Sequence, residues 1–197
     1  CALPTVSLLA MTVGGRADDG VATGDTSGMK MAFSNSYAGN SFRQVMIKSF
    51  ESMGAQAVKD KKIASVTVVN SNNSVTEQAS QIQNLILQGY NAIVILAGSD
   101  TALNGTIKDA CNAGITIVVF ASGVTEPCAY NVDYDLDSFA KSELDFISSK
   151  LGDKPANLLE IRGIAGDGFD KRLHEGMLKA VAAHPSYKLA GEVFGQW

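Results

Sequence analysis

The sequence predicts an α/β fold of two doubly wound parallel-sheet lobes, the second of them incomplete. Three observations carry this. From residue 29 onward, short apolar segments alternate with amphipathic helical ones. Residues 91–97 (NAIVILA) and 115–120 (ITIVVF) are continuously apolar, as strands covered on both faces are, and this marks a parallel sheet. Repeated strand–helix steps of this kind need right-handed crossovers, which wind helices onto both faces.

Taken in order, residues 29–34 (MKMAFS) form the first strand, which ends in the polar turn NSYAGN and passes into a helix over 41–59. Phe42, Met46, Ser49/Phe50 and Met53 share one face of that helix. Residues 64–70 (ASVTVVN) are β-branched and make the second strand. Ser74, with Glu77 three residues on, has the form of a capping box, and the helix it opens carries Val75, Ala79, Ile82 and Ile86 inward and stops at Gly89. The third strand (91–97) is followed by Gly98-Ser99-Asp100, then by a helix with Leu103, Ile107 and Cys111 on one side, closed by Gly114. The fourth strand (115–120) completes a first lobe at residues 29–121.

Residues 122–128 contain Gly and Pro without periodicity and are expected to cross between lobes. The pattern resumes with a strand at 129–132, a helix over 136–151, a strand at 157–161, a helix over 169–183 and a strand at 188–193. A second lobe at 129–197 with three strands has an open edge, so the expectation is that the chain is truncated at this end.

The chain has 197 residues, 46% of them apolar and 18% charged, with a net charge of −4. There is enough apolar material for a real core, and no electrostatic basis for binding nucleic acid or an anionic membrane. Residues 2–13 are apolar but short of the ~20 needed to span a bilayer. With Gly15-Arg16-Ala17 and a polar run after them, residues 1–28 read as a signal peptide lacking its basic start, plus a linker. Two alternatives stand beside this: Cys1 as the lipid-bearing residue of a lipoprotein, or the apolar run as a tail or core element.

Catalytic signals are absent. No Gly-x-Ser-x-Gly elbow occurs, and both histidines, His174 and His184, fall in one expected helix on its solvent side. Three cysteines and two histidines show no metal-ligand spacing. The expectation is therefore a protein that is not an enzyme and has neither metal nor cofactor. The run Gly163-Ile164-Ala165-Gly166-Asp167-Gly168 sits where a phosphate loop would, yet matches neither nucleotide fingerprint and reads as a tight turn presenting Asp170, Lys171 or Arg172 to a cleft. Cys111 and Cys128 flank opposite ends of the fourth strand, about 20 Å apart for six residues, so they are expected to be unpaired unless the chain doubles back.

Four stretches, SNSYAGNSFR after the first strand, QASQIQNLILQGYNAIVI across the second helix and third strand, AGITIVVF, and LLEIRGIAG with HEGM, occur in an order and spacing that identify a family. Over residues 29–197 the chain resembles the sugar-binding periplasmic proteins of bacterial ABC importers, the ribose-binding type. The resemblance implies the type I periplasmic-binding-protein fold, a monosaccharide held between two hinged lobes, export to the periplasm, a monomer, and an inner-membrane permease as partner. By position it implies that Tyr37, Asn40, Phe42 and Arg43 stack on and hydrogen-bond the sugar, with Asn72 and Ser99 or Asp100 on the same wall. Asn131, Asp133 and Lys171 or Arg172 face them from the second lobe. Many family members place an Asp after the fourth strand; here Ala121 and Ser122 stand there, with Ser122 the remaining polar candidate.

Each residue has a structural alternative: Phe42 as core, Arg43 as a solvated helix residue, Asp100 as a helix cap, and Asn72 as a turn residue. The rival reading of the whole is the effector-binding core of a LacI-type transcription regulator. It needs a helix-turn-helix before residue 29, and the apolar, Gly-rich segment there has the wrong composition.

Overall fold

The computed structural model describes residues 24–195. The leader-like segment at 2–13, the small residues at 15–17 and the possible lipid site at Cys1 lie outside the described residues.

Strands β1 (Lys30–Asn35), β2 (Ser65–Asn70), β3 (Ala92–Leu96), β4 (Thr116–Phe120) and β5 (Tyr130–Val132) form one parallel sheet in the order β2-β1-β3-β4-β5. Helices α1 (Ser41–Lys59), α2 (Val75–Leu87) and α3 (Asn104–Asn112) make the crossovers. The apolar runs are the core: Ile93, Ile95, Ile117 and Val119 are fully or nearly fully buried with Ile82, Leu85, Leu103 and Ile107. On the other face Phe33 packs on Phe50 of α1, ring centroids 5.1 Å apart. Helix α1 lies close to β2 because position 54 is glycine, where an added Cβ would come within 2.6 Å of Val66.

Helix α1 is rotated from its expected orientation. Gly54 is buried and Met46 and Phe50 half-buried, while Phe42 and Met53 are 61% and 74% exposed. Of the expected face, Met46 and Phe50 turn inward while Phe42 and Met53 do not, because the backbone approach at Gly54 sets the inner face.

The expected cap of α2 is present, with the Ser74 side chain accepting from the Glu77 N–H at 3.2 Å. One helical turn on, Gln78 is completely buried: its Nε2 donates to the Leu96 carbonyl (3.0 Å) and the Ser34 hydroxyl (3.2 Å), and its Oε1 accepts from the Gly98 N–H (2.9 Å). This side chain ties the carboxyl ends of β1 and β3 together and so fixes the floor from which the following loops rise.

The first sheet extends further than the sequence reading placed it. β5 pairs in parallel with β4, Val118 opposite Tyr130, so residues 129–132 belong to the five-stranded sheet, and residues 122–128 return the chain within it. The same return corrects the cysteine expectation. A strand parallel to β4 must begin at the same sheet edge, so the chain doubles back before β5 and brings Cys128 to the end of α3. Cys111 and Cys128 form a disulfide, Cα–Cα 6.4 Å.

After β5 come α4 (Leu136–Leu151), β6 (Ala156–Arg162), α5 (Gly168–Ala182) and β7 (Tyr187–Phe194), with β6 and β7 paired in parallel. Helices α4 and α5 pack closely because Gly176 leaves room for the Leu136 carbonyl, which an added Cβ would meet at 3.0 Å. Ala140 and Leu144 of α4 are fully buried beneath them, whereas Leu159, Ile161 and Val193 on the sheet's other face are 80%, 76% and 62% exposed. Among the described residues no helix is long and apolar enough to cross a membrane.

Candidate ligand-binding site

In a parallel sheet, loops at the carboxyl ends of strands gather on one side, and that is where this fold opens. A cavity of about 490 Å³ lies between these loops and the first turns of α4 and α5. Its walls come from the β1–α1 turn (Asn40, Phe42, Arg43), the ends of β3 and β4 (Leu96, Ala121, Ser122), the start of α4 (Tyr134, Asp135, Phe139) and the start of α5 (Asp167, Phe169, Leu173).

Local chemistry sets several of these positions. Asn40, Asp135 and Asp167 are the N-caps of α1, α4 and α5, so three helix N-termini converge on the cavity. The Asn40 side chain accepts from the Arg43 N–H (2.9 Å), Asp135 from the Ser138 N–H (3.0 Å), and Asp167 from the Phe169 N–H (2.8 Å). Hydrogen bonds from Ser138 hold the Asp135 carboxyl below its ordinary range. Arg43 donates from Nη1 to Asn35 Oδ1 at 3.1 Å. Burial lowers the Arg43 pKa, and the opposing charge of Asp167 partly restores it. Tyr134 and Phe169 meet edge-on, centroids 5.9 Å apart, and Phe42 stands exposed among the lining residues, not in the core.

Of the residues expected at the site, Asn40, Phe42, Arg43 and Ser122 line the cavity. The others are not among its lining residues. Tyr37 folds over Gly39, where an added Cβ would strike its hydroxyl, and its carbonyl accepts from Asn35 Nδ2 at 2.6 Å. Asn72 is exposed, with φ +49 in the turn before α2. Ser99 accepts from the N–H groups of Thr101 and Ala102, and the Asp100 carbonyl accepts from the Thr125 N–H at 2.9 Å, so both stabilise the loop before α3. Asn131 holds Val124 through both amide atoms, at 2.8 and 3.1 Å, and so pins the doubled-back loop. Lys171 is exposed and away from the cavity. Asp170 turns away from it as well, to Arg162 and the Gly163 N–H.

Asp133 and Arg172 form an ion pair that joins the end of the first sheet to α5, and Arg172 also approaches the Ala121 carbonyl at 3.5 Å. They tie the chain after β5 to α5. Burial is the largest single effect on Asp133 and pushes its carboxyl up, but hydrogen bonds from Arg172, Tyr134 and Gly123, with the Arg172 charge, together hold it below its ordinary 3.8. A depressed carboxyl contributes stability above its unfolded value and loses it as pH falls through the folded one. Melting temperatures measured between about pH 6 and pH 3 should therefore fall less steeply for Asp133→Asn than for the parent; equal slopes count against the ion pair.

The histidines depart from expectation. His174 faces inward, Nδ1 2.6 Å from Glu160, and His184 lies beyond the end of α5, stacked on Tyr187. Glu160, His174 and Glu192 bring three potential metal-ligand atoms within 4.8 Å of one another. They come from β6, α5 and β7, so no local spacing announced them. Arg162 already pairs with Glu192 at 3.0 Å, and the cluster lies outside the cavity.

The cavity residues that the sequence reading missed are Leu96, Tyr134, Asp135, Phe139, Asp167, Phe169 and Leu173. Asp135 and Asp167 had a legible signal, since each precedes an amphipathic helix as a cap. The apolar ones had none, because an apolar residue at a helix start reads as core.

A family model describing the periplasmic binding protein domain matches residues 31–197. The chain belongs to this family. Among curated members, it is 28% identical over 140 residues to the ribose import binding protein of Escherichia coli, an alignment covering 71% of this chain and 47% of that one. It is 26% identical over 129 residues to the xylitol-binding protein of Mycolicibacterium smegmatis, covering 65% and 37%. The chain thus spans about half or less of the length of these relatives. Among solved structures, an ABC transporter solute binding protein from Thermobispora bispora superposes with a TM-score of 0.77 at 36% identity, covering 85% of this chain and 52% of that one. The Caulobacter myo-inositol binding protein gives 0.75 at 19% identity, covering 84% and 55%, a likeness of fold alone. By name the Escherichia coli relative is an import binding protein and the Thermobispora bispora structure an ABC transporter solute binding protein, and the α/β parallel-sheet fold is shared with them.

Proposed function

We propose that this chain is part of an extracytoplasmic solute-binding protein, not an enzyme, that captures a monosaccharide or similar polar small molecule and delivers it to an ABC import permease. The observation that carries this is the cavity, where Arg43 and three helix N-termini meet an aromatic wall at the carboxyl ends of β3 and β4. Aromatic faces take the C–H surface of a ring while fixed donors take its hydroxyls. The disulfide supports export, because such bonds persist in oxidising compartments. Lobe closure is the expected mode of capture, with the Asp133–Arg172 ion pair beside the chain that crosses from β5 to α4.

Thermal unfolding in the presence of monosaccharides and polyols tests this. A ligand at a hundred times its dissociation constant adds about 2.7 kcal/mol of stability. Arg43→Ala removes a half-buried charged donor, so it should weaken binding of the same ligand by about 10- to 100-fold. A panel without any shift, in a chain that melts cooperatively, would remove the reading.

A further inference from the structure

We propose that Glu160, His174 and Glu192 form a binding site for a divalent transition-metal ion of the zinc class, outside the ligand cavity and independent of what that cavity holds. The three residues come from β6, α5 and β7, and their potential ligand atoms lie within 4.8 Å of one another. One imidazole with two carboxylates is a donor set that suits zinc, whereas calcium and magnesium take about six or more oxygen ligands.

The fold brings these carboxylates together at a cost that the protein's own charges offset only in part. In the β6–β7 register Glu160 stands directly opposite Glu192, and like charges facing each other across paired strands repel. Burial alternates along β6, and Glu160 lies with Leu158 and Arg162 on its more buried face, where the Glu160 side chain is only 14% exposed and that of His174 18%. Arg162 reaches Glu192 at 3.0 Å but also Asp170 at 2.7 Å, so one positive charge is shared by two carboxylates. Glu160 is left with His174, at 2.6 Å. Glu143 on α4 feels the excess: burial first, and then the Glu160 charge, raise its carboxyl above the ordinary value. A bound dication neutralises Glu160 and Glu192 together, which a single imidazolium does for one at most.

Ligation needs little rearrangement. Zinc holds nitrogen and oxygen ligands at about 2.0–2.2 Å, so the donors of a tetrahedral site stand about 3.3–3.6 Å apart. His174 Nδ1 is 3.7 Å from Glu192 Oε2, close to that spacing. Its 2.6 Å contact with Glu160 has to open by about 1 Å, within reach of a side-chain rotation. Nδ1 then coordinates through its lone pair while the ring proton sits on Nε2, and Arg162 keeps Asp170. The Glu192 side chain is 42% exposed, so water completes the shell from that side. A metal held here ties α5 to both strands of the second sheet.

Isothermal titration of the chelator-stripped chain with ZnCl2 tests this, in a Cys1→Ser background because Cys111 and Cys128 are already bonded to each other and Cys1 would compete as a thiol. The expected result is a single site of about micromolar affinity or tighter, and a melting temperature that rises with Zn2+ but not with Ca2+ or Mg2+. His174→Gln should weaken that affinity by at least about 10- to 100-fold, since loss of a ligand costs no less than loss of the group that orients one. His184→Gln, stacked on Tyr187 away from the cluster, should leave it unchanged. If His174→Gln fails to fold, Glu192→Gln on the exposed side of the cluster serves instead. No binding up to about 1 mM Zn2+, equal stabilisation by Ca2+ or Mg2+, or an affinity that neither variant lowers overturns the inference. None of these outcomes touches the binding-protein reading, which the sugar panel tests separately.

Discussion

Asp170→Ala should destabilise the β6–α5 unit by about 3–5 kcal/mol, the cost of removing one partner from a buried ion pair. Asp170 is 2% exposed; one oxygen accepts from the Gly163 N–H at 2.7 Å and the other pairs with Arg162 at 2.7 Å. Arg162 is itself mostly buried, shared with Glu192 at 3.0 Å and lying over the Phe194 ring at 4.9 Å. Alanine leaves a buried N–H unpaired and half a guanidinium without its counter-charge. Urea unfolding followed by circular dichroism, at a slope of about 2 kcal/mol/M, should show the midpoint fall by about 1.5–2.5 M. Asp170→Asn, which keeps an acceptor for Gly163, should lose about half as much. A loss below about 1 kcal/mol for alanine would mean that the network adds little. Because Asp170 sits in the first turn of α5, beside Asp167 and Phe169, the alanine variant should also weaken ligand binding.

Removal of the disulfide by Cys111→Ala with Cys128→Ala should cost about 3 kcal/mol. The bond closes a loop of 17 residues, for which the chain-entropy model gives that value. The same urea titration reads it, and reduction of the parent should reproduce it. The loop also carries Ala121 and Ser122 into the cavity, and Asn131 pins its far side at Val124. Sugar affinity should therefore fall with stability in the double variant. Affinity unchanged in a destabilised protein would show that Asn131 alone positions the loop.

All the described helices and strands fell where the sequence put them, because hydrophobic periodicity and caps are local. The continuous runs at Ala92–Leu96 and Thr116–Phe120 are strands buried within a sheet, and Ser74 caps α2 as its spacing with Glu77 requires. Gly89 and Gly114 adopt φ +67 and +78 just past their helices, as expected of helix-ending glycines. The β1–α1 turn was identifiable as a site for a similar reason: Asn40, Phe42 and Arg43 are contiguous.

Contacts between distant segments decided the rest. Whether β5 closes the first sheet or opens the second depends on a pairing with β4 that leaves no mark in three residues, and the disulfide follows from that pairing. His174 reads as a solvent residue until β6 and β7 bring Glu160 and Glu192 to it. Asp133 and Arg172 are 39 residues apart and become an ion pair only where α5 meets the end of β5. The sequence by itself determined the order and kind of elements, since each is specified by side chains within a few turns of one another. Tertiary structure decided which strand joins which sheet, which cysteines bond and which apolar residues line the cavity, because each of those depends on surfaces that meet only after the chain has folded.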